Sequence, residues 1–313
     1  MGRYIIKRLI DMFPIILGVT FIVFLIMALT PGDPGRLILG MNAKQNDVDA
    51  LNHELGLDKP FLVRYVDYVK NCIKGDFGFS YRSRRPVFEE IYANFHYTVI
   101  LAVCGTIFSY LIGLPLGILS AVKQYSFIDI SVTVMAMIFA SIPDFWLALM
   151  MILLFSLRLG WLPPSGVDSV LSFIMPIIVI SLPSAAITSR LTRTTMLECI
   201  RQDYVRTARA KGVPDKVVIW KHAFMNAMLP LLVIMITSFG LSLGGTVLIE
   251  TVFSIPGIGY LVIDSIRQKD IPVVMASTIF LGVIYSFFVL IADLVIAYID
   301  PRVKSVYLKK SRV

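Results

Sequence analysis

The residues whose types and spacing could do chemistry fall into a few short stretches. Gly240-Leu-Ser-Leu-Gly244 has the letters of a nucleophile elbow around Ser242, which would suit acyl transfer from an activated serine. Such a serine needs a neighbouring base, and the three histidines, His53, His96 and His222, lie in separate regions of the chain. Ser242 also sits inside an apolar run and not on a strand-to-helix turn. Gly75–Ser80, GDFGFS, contains Asp-Phe-Gly with none of the other elements of a kinase. The sequence has no Gly-Lys pair, hence no G-x-x-x-x-G-K-[ST] phosphate loop, so nucleotide hydrolysis is not expected in this chain. Neither an H-E-x-x-H pair of ligands nor a cysteine cluster occurs; Cys72, Cys104 and Cys199 read as free, structurally incidental thiols. No catalytic or metal-binding constellation is therefore expected.

Two kinds of chemically pointed residue remain. The first is carboxylates in apolar surroundings. Asp144, in Ser141-Ile-Pro-Asp144, lies near the middle of an apolar run, where an acid is costly and faces a cavity or a partner by default. An alternative, compatible with the first, is that the helix breaks at Pro143 and Asp144 caps its second half. Asp11 and Asp293 lie nearer the ends of their runs and read as hydrated, whereas Glu250 can be read either way. The second is a basic segment, Asp203–Gly212, DYVRTARAKG, with Arg206, Arg209 and Lys211 in an otherwise apolar region.

The elements that must position these residues are set by composition. The 313 residues are 57% hydrophobic and 16% charged, with mean hydropathy +0.79, whereas soluble domains run nearer about half apolar and about a quarter charged. The excess comes in runs long enough for a bilayer core, which takes roughly 20 apolar residues per helix. Six such runs span about 9–30, 97–122, 130–157, 170–194, 231–252 and 273–298. The first is longer than a signal-peptide core of roughly 7–15 residues and no small-residue cleavage site follows it, so it reads as a retained span. With the N-terminus in the cytoplasm, 17 Lys and Arg fall inside and 12 outside, nine of the latter in the long segment 31–96. Long loops translocate largely regardless of charge, so both termini are expected in the cytoplasm. The net charge of +8 is then a topology signal and not a nucleic-acid footprint.

The expected fold class is an all-α integral membrane protein with six transmembrane helices. Its parts are a tail and first span over 1–30, an extracytoplasmic helical loop over 31–96, a five-span core over 97–300 that includes a cytoplasmic segment 195–230, and a basic tail over 301–313. In the outer loop, Val48, Leu51 and Leu55 predict one helix, and Leu62, Val66, Val69 and Ile73 predict the apolar face of another. Gly113 and Gly117, and Gly240 and Gly244, have the small-xxx-small spacing that lets helices approach closely. No internal repeat of the kind found in secondary transporters is visible.

In the basic segment, good helix formers over 203–211 stop at Gly212-Val-Pro214. Tyr204, Thr207, Ala208 and Lys211 share one face, with Arg206 and Arg209 beside it. Thr207, Ala208 and Ala210 are small enough for another protein's surface to approach, and the cations would fix its orientation. The other reading is a positively charged linker lying on anionic lipid headgroups.

Here the chain resembles the membrane subunits of ABC importers, whose Glu-Ala-Ala-xxx-Gly loop forms a coupling helix. Aligned on Gly212, that motif falls on Arg206, Thr207 and Ala208, and only the last keeps the general consensus. "YVRTARAKG" followed by "HAFMNAMLP" is instead close to the wording of the peptide/nickel permease branch. "TPGDP" (30–34), "LGLDKP" (55–60), "GDFGFSYRSRRPV" (75–87), "SIPDFW" (141–146), "LPPSG" (162–166), "ETVFSIPGIG" (250–259) and "DLVIAYIDPRV" (293–303) match that branch in order. The long loop after the first span favours the first of its two paired permeases.

The resemblance implies a type I importer permease in a bacterial or archaeal cell membrane. It implies pairing with a second, homologous permease, two cytoplasmic ATP-binding subunits that use ATP and Mg, and an extracytoplasmic substrate-binding protein, with no cofactor in this chain. Asp203, Tyr204, Arg206, Thr207, Ala208, Arg209, Ala210, Lys211 and Gly212 would form the coupling element. Ser141, Pro143, Asp144, Gly244, Gly245 and Glu250 are candidates for the translocation pathway. Di- or oligopeptides lead as substrate, with nickel or a metal chelate as the alternative. A proton-driven secondary transporter relaying through Asp144, Asp11 or Asp293 is the more remote reading.

Overall fold

In lipid a backbone must satisfy its hydrogen bonds within its own segment, and the apolar runs accordingly fold as helices. A computed structural model describes residues 2–30, 33–40 and 42–299; the basic tail expected over 301–313 lies outside the described residues. Among them the regular structure is helical apart from a single bridge, Phe79 to Pro86. Five helical stretches, Ile10–Leu29, Val87–Val122, Val170–Ile200, Asp215–Val252 and Ile271–Ile296, are long and apolar enough to cross a membrane. The expected run 130–157 is not one straight span. It folds as Phe127–Ser141 and Asp144–Arg158, bent by 95° at the break; counted as one broken span, this pair brings the described candidates to six.

The described residues divide into two compact units, one within 2–98 and 256–286 and one within 99–255 and 287–299. The first contains α1 (Gly2–Leu29), α2 (Pro34–Leu39), α3 (Gln45–Glu54) and α4 (Phe61–Ile73). Val48 of α3 is fully buried, in keeping with its predicted role. In α4 the face that packs is not the predicted one. Leu62 and Ile73 are 62% and 69% exposed, while Phe61, Tyr65 and Tyr68 pack against the cluster that holds Phe24 and Met27 of α1. Aromatic rings bury more area and pair edge-to-face, as Phe21 does with Phe61 and Tyr65 at 5.8 and 5.2 Å. The Tyr65 hydroxyl also donates to the Leu17 carbonyl at 2.8 Å. The aliphatic residues are left outward.

The second long helix, α5 (Val87–Val122), starts well before the predicted 97. Val87 and Ile91 are buried with Ile258, Val273 and Ala276, so the end of the expected outer loop is already helix. Just before it, a tight hairpin over Ser80–Arg85 presents Arg82, Arg84 and Arg85, with Arg84 in the left-handed region at φ 56°. One buried carboxylate holds that hairpin. Asp270 accepts from Ser80 Oγ at 2.5 Å, from the Tyr81 N–H at 3.1 Å and from the Arg82 N–H at 3.4 Å. An orphaned buried donor costs about 1–3 kcal/mol. Asp270→Ala is therefore expected to leave the spans inserted but to loosen the hairpin, making its arginines cleavable by trypsin added outside spheroplasts. Cleavage no faster than in the parent chain would show that the carboxylate does not hold it.

The second unit begins within α5 and adds α6 (Phe127–Ser141), α7 (Asp144–Met151) and a π-helical stretch, Ile152–Arg158. There follow α8 (Ile174–Ile200), α9 (Asp203–Ala210), α10 (Asp215–Val217), a second π-helical stretch, Val218–Phe224, α11 (Met225–Gly245) and α12 (Val247–Val252). The chain then enters α13 (Ile258–Arg267) of the first unit, and the last described helix is α14 (Ile271–Ile299), which runs from the first unit into the second. The small-xxx-small spacing in α5 forms a close seam with α8. A Cβ added to Gly113 would stand 2.8 Å from the Ala185 carbonyl oxygen, and one added to Gly117 2.5 Å from that of Ser189. At the second such spacing, a Cβ on Gly244 would meet nothing within 4 Å, whereas Gly240 is buried.

Candidate functional site

The segment between α8 and α11 is built from its buried residues outward. Val205 is fully buried and Ala208 is 7% exposed. One turn apart on α9, they pack with Val218 at the start of the second π-helical stretch, and Val213 lies against them. The helix ends in a Schellman turn: the Gly212 N–H donates to Arg209 O at 2.9 Å and the Val213 N–H to Ala208 O at 3.3 Å. That geometry requires a left-handed residue, and Gly212 has φ 77°. Beneath it, Met196 of α8, Ile118 and Ala121 of α5, and Ala223 and Ala227 form a buried base.

With the inner face so defined, Asp203, Tyr204, Arg206, Thr207, Arg209, Ala210, Lys211 and Gly212 are all exposed. The candidate contact surface loses Ala208, which sequence spacing placed on the outer face with Tyr204 and Thr207. Ala208 faces inward because Val205, three residues earlier and overlooked in the sequence, is the larger apolar group and sets the buried side. Thr207 Oγ1 donates back to the Asp203 carbonyl at 2.9 Å, so its methyl is what it offers outward. Arg209 Nε donates to Asp215 Oδ1 at 3.0 Å, which steadies the turn. Arg206 lies 4.0 Å from Asp203 in an exposed pair that contributes little. Partial desolvation of its ring, aided by a hydrogen bond with the Cys199 thiol, pushes the Tyr204 phenol up to about 12. The tyrosine is therefore neutral at physiological pH and offers a hydroxyl at the edge of a cationic surface.

The pathway candidates lie on elements that meet, since α7 packs against α12, but their environments differ. Ser141 and Pro143 border an open apolar cleft of about 600 Å³ at the 95° break, together with Met137, Ile142, Phe145 and Trp146. Ser141 Oγ donates to its own helix at Met137 O, 2.8 Å away. Asp144 is exposed and is the first residue of α7; the cap position belongs to Pro143, which makes no side-chain capping bond. The break at Pro143 is thus present, while Asp144 acts as a first-turn acid favourable to the helix dipole and not as the cap residue. Glu250 is fully buried and accepts from Thr246 Oγ1 at 2.8 Å. Gly244 is exposed, and the exposure of Gly245 lies outside the described residues.

One cluster escaped sequence reasoning. Asp129, 3% exposed, accepts from Arg193 Nε at 2.7 Å and Nη2 at 2.8 Å. It also accepts from Ser120 Oγ, and from the Tyr125 N–H at 2.9 Å. A weak signal existed in Ser126-x-x-Asp129 ahead of an apolar run, a capping spacing. Ser126 is indeed the N-cap of α6, accepting from the Asp129 N–H at 3.3 Å.

Comparison with known proteins adds the following. Residues 113–305 match the family described as binding-protein-dependent transport system inner membrane component. Residues 1–102 match the N-terminal region of such membrane components. The oligopeptide transport system permease protein AppB of Bacillus subtilis is 39% identical over 97% of this chain and 100% of its own length. The glutathione transport system permease protein GsiC of Escherichia coli K12 is 37% identical over 97% of this chain and 99% of its own. Among solved structures, a chain of the inward-facing MetNI methionine ABC transporter superposes with TM-score 0.55 at 19% identity, covering 67% of this chain and 98% of that one. At that identity the likeness is one of fold.

Proposed function

Because this chain belongs to the binding-protein-dependent transport system inner membrane component family, a multi-pass membrane permease family of ABC importers, we propose that it forms one half of the translocation pathway for di- or oligopeptides. A second, homologous permease supplies the other half. Two cytoplasmic ATP-binding subunits, which hold the ATP and Mg, dock on the exposed face of α9, and an extracytoplasmic binding protein delivers the substrate. The chain itself carries out no hydrolysis; its part is mechanical.

The observation that carries the coupling role is the build of α9. A short helix is anchored by two inward apolar residues and stopped by a left-handed glycine, and its polar and cationic residues all stand outward. A linker lying on headgroups would need the cations but not the rigid anchor or the Schellman stop. The neutral Tyr204 hydroxyl, the Thr207 methyl, Ala210 and the flanking Arg206 and Lys211 suit a protein groove with an acidic rim. Peptide as substrate rests on the two relatives named for oligopeptide and glutathione transport, each aligned over nearly the whole chain.

The test is co-purification of the tagged chain in mild detergent, expressed with its genomic neighbours, with every partner identified by mass. Recovery of a second six-span permease and of proteins bearing phosphate loops is expected. Uptake of labelled peptide by vesicles containing that complex, and not of nickel, is expected to follow. Recovery of this chain alone from membranes that still transport would overturn the coupling role.

A further inference from the structure

The Asp129–Arg193 pair lies where the coupling segment is rooted. Arg193 is on α8, about two turns before the helix gives way to α9. Its guanidinium grips Asp129 with both arms, at 2.7 and 2.8 Å. The same carboxylate takes the Ser120 hydroxyl from the end of α5 and the Tyr125 N–H from the connecting turn. Tyr125 is held at φ 63°, the left-handed conformation needed to aim that N–H. One buried anion thus joins α5, the start of α6 and α8. Burying such a pair is unfavourable unless nearly every lone pair is engaged, and here four donors engage them.

Its place along the α5–α8 contact suggests what it does. The contact above it is a seam of glycines against carbonyls and small side chains, Gly113 on Ala185 and Thr188, Gly117 on Ser189 and Thr192. Such a seam permits close approach but offers little directional resistance to sliding along the helix axis. A bidentate ion pair at the end nearer α9 is directional and resists it.

We propose that Asp129 and Arg193 are positioning residues that lock α8 in register on α5 and α6, so that displacement of α9 moves these helices together and is not absorbed by slip of α8 alone. This rests on the reading of α9 as the ATPase-docking element. The pair touches neither substrate nor nucleotide; it acts through α8.

The experiment reconstitutes the full complex, with its second permease, ATP-binding subunits and binding protein, in proteoliposomes carrying R193Q, D129N or R193K. The quantity read is ATP hydrolysed per peptide imported, alongside the amount of ATP-binding subunit retained. In R193Q and D129N this ratio is expected to rise about tenfold with the ATP-binding subunits still bound, the size of a lost coupling energy between sites. R193K, which keeps the charge but not the two-armed geometry, is expected to fall between these and the parent. A purely structural role would lower hydrolysis and import together, in proportion to complex lost, and that result would overturn the proposal. So would an unchanged ratio in assembled R193Q complexes. Loss of the ATP-binding subunits from the unsubstituted chain would instead sink the docking reading itself.

Discussion

Ala208→Trp is expected to reduce peptide import by about a hundredfold, the penalty typical when a coupling geometry shifts by about 1 Å, while the chain still inserts and pairs with its partner permease. Ala208 is 7% exposed and sits between α9 and the π-helical stretch, against Val205 and Val218. An indole cannot fit there, and α9 must lift from its base. Gly212→Pro attacks the same element from its other end. Proline cannot adopt φ 77° and has no N–H to donate to Arg209 O, so the Schellman turn is lost. The measurement is peptide uptake per complex, with the membrane content of the chain followed in parallel. Exposed Lys74→Gln, outside this segment, is the control and is expected to import normally. Wild-type import by either Ala208→Trp or Gly212→Pro would show that α9 does not couple.

Gly117→Leu is expected to destabilise the second unit, lowering its thermal unfolding midpoint in detergent and its yield in the membrane. Even a Cβ alone would stand 2.5 Å from both the Ser189 carbonyl oxygen and Thr192 Cβ. The first of these is backbone and cannot swing away, so α5 and α8 must separate. Overpacking of this kind costs about 1–3 kcal/mol, and more where the neighbour is rigid. The separation would also strain the base beneath α9, where Ile118 and Ala121 of α5 meet Met196 of α8. Gly244→Leu is the matched comparison: nothing lies within 4 Å of its added Cβ, so the isolated chain should tolerate it. Equal midpoints for the two variants would mean that the α5–α8 seam is not a closely packed one.

The spans were legible because lipid leaves the backbone no alternative to the helix, and run length then reports membrane thickness. The stop at Gly212 and the break at Pro143 were legible too, since each rests on a local backbone restriction that needs no partner. What stayed hidden depended on choice among neighbours. In α4 both an aliphatic and an aromatic face satisfied helical periodicity, and only the presence of Phe21 and Phe24 across the contact decides for Phe61 and Tyr65. On α9, spacing alone leaves Ala208 free to face outward, and only the larger Val205 sets the inner side. The Asp129–Arg193 pair joins residues 64 apart in sequence, and nothing in either local stretch reveals the other.

The π-helical stretch Val218–Phe224, stiffened by the edge-to-face pair Trp220–Phe224 at 5.2 Å, stands between α9 and the long run of α11. A π turn accommodates an extra residue within an α-helical ladder, and each residue of an α-helix advances the chain by about 100° around its axis. Deleting one residue there would restore the ordinary ladder and demand that everything before it, α9 included, swing by about that angle relative to α11. But α9 is also tied to α8, which is seated on α5 and cannot turn with it. The two ends of the segment would then call for different azimuths, and no side-chain change could reconcile them. The π-helical stretch should therefore accept changes of residue type more readily than any change of length.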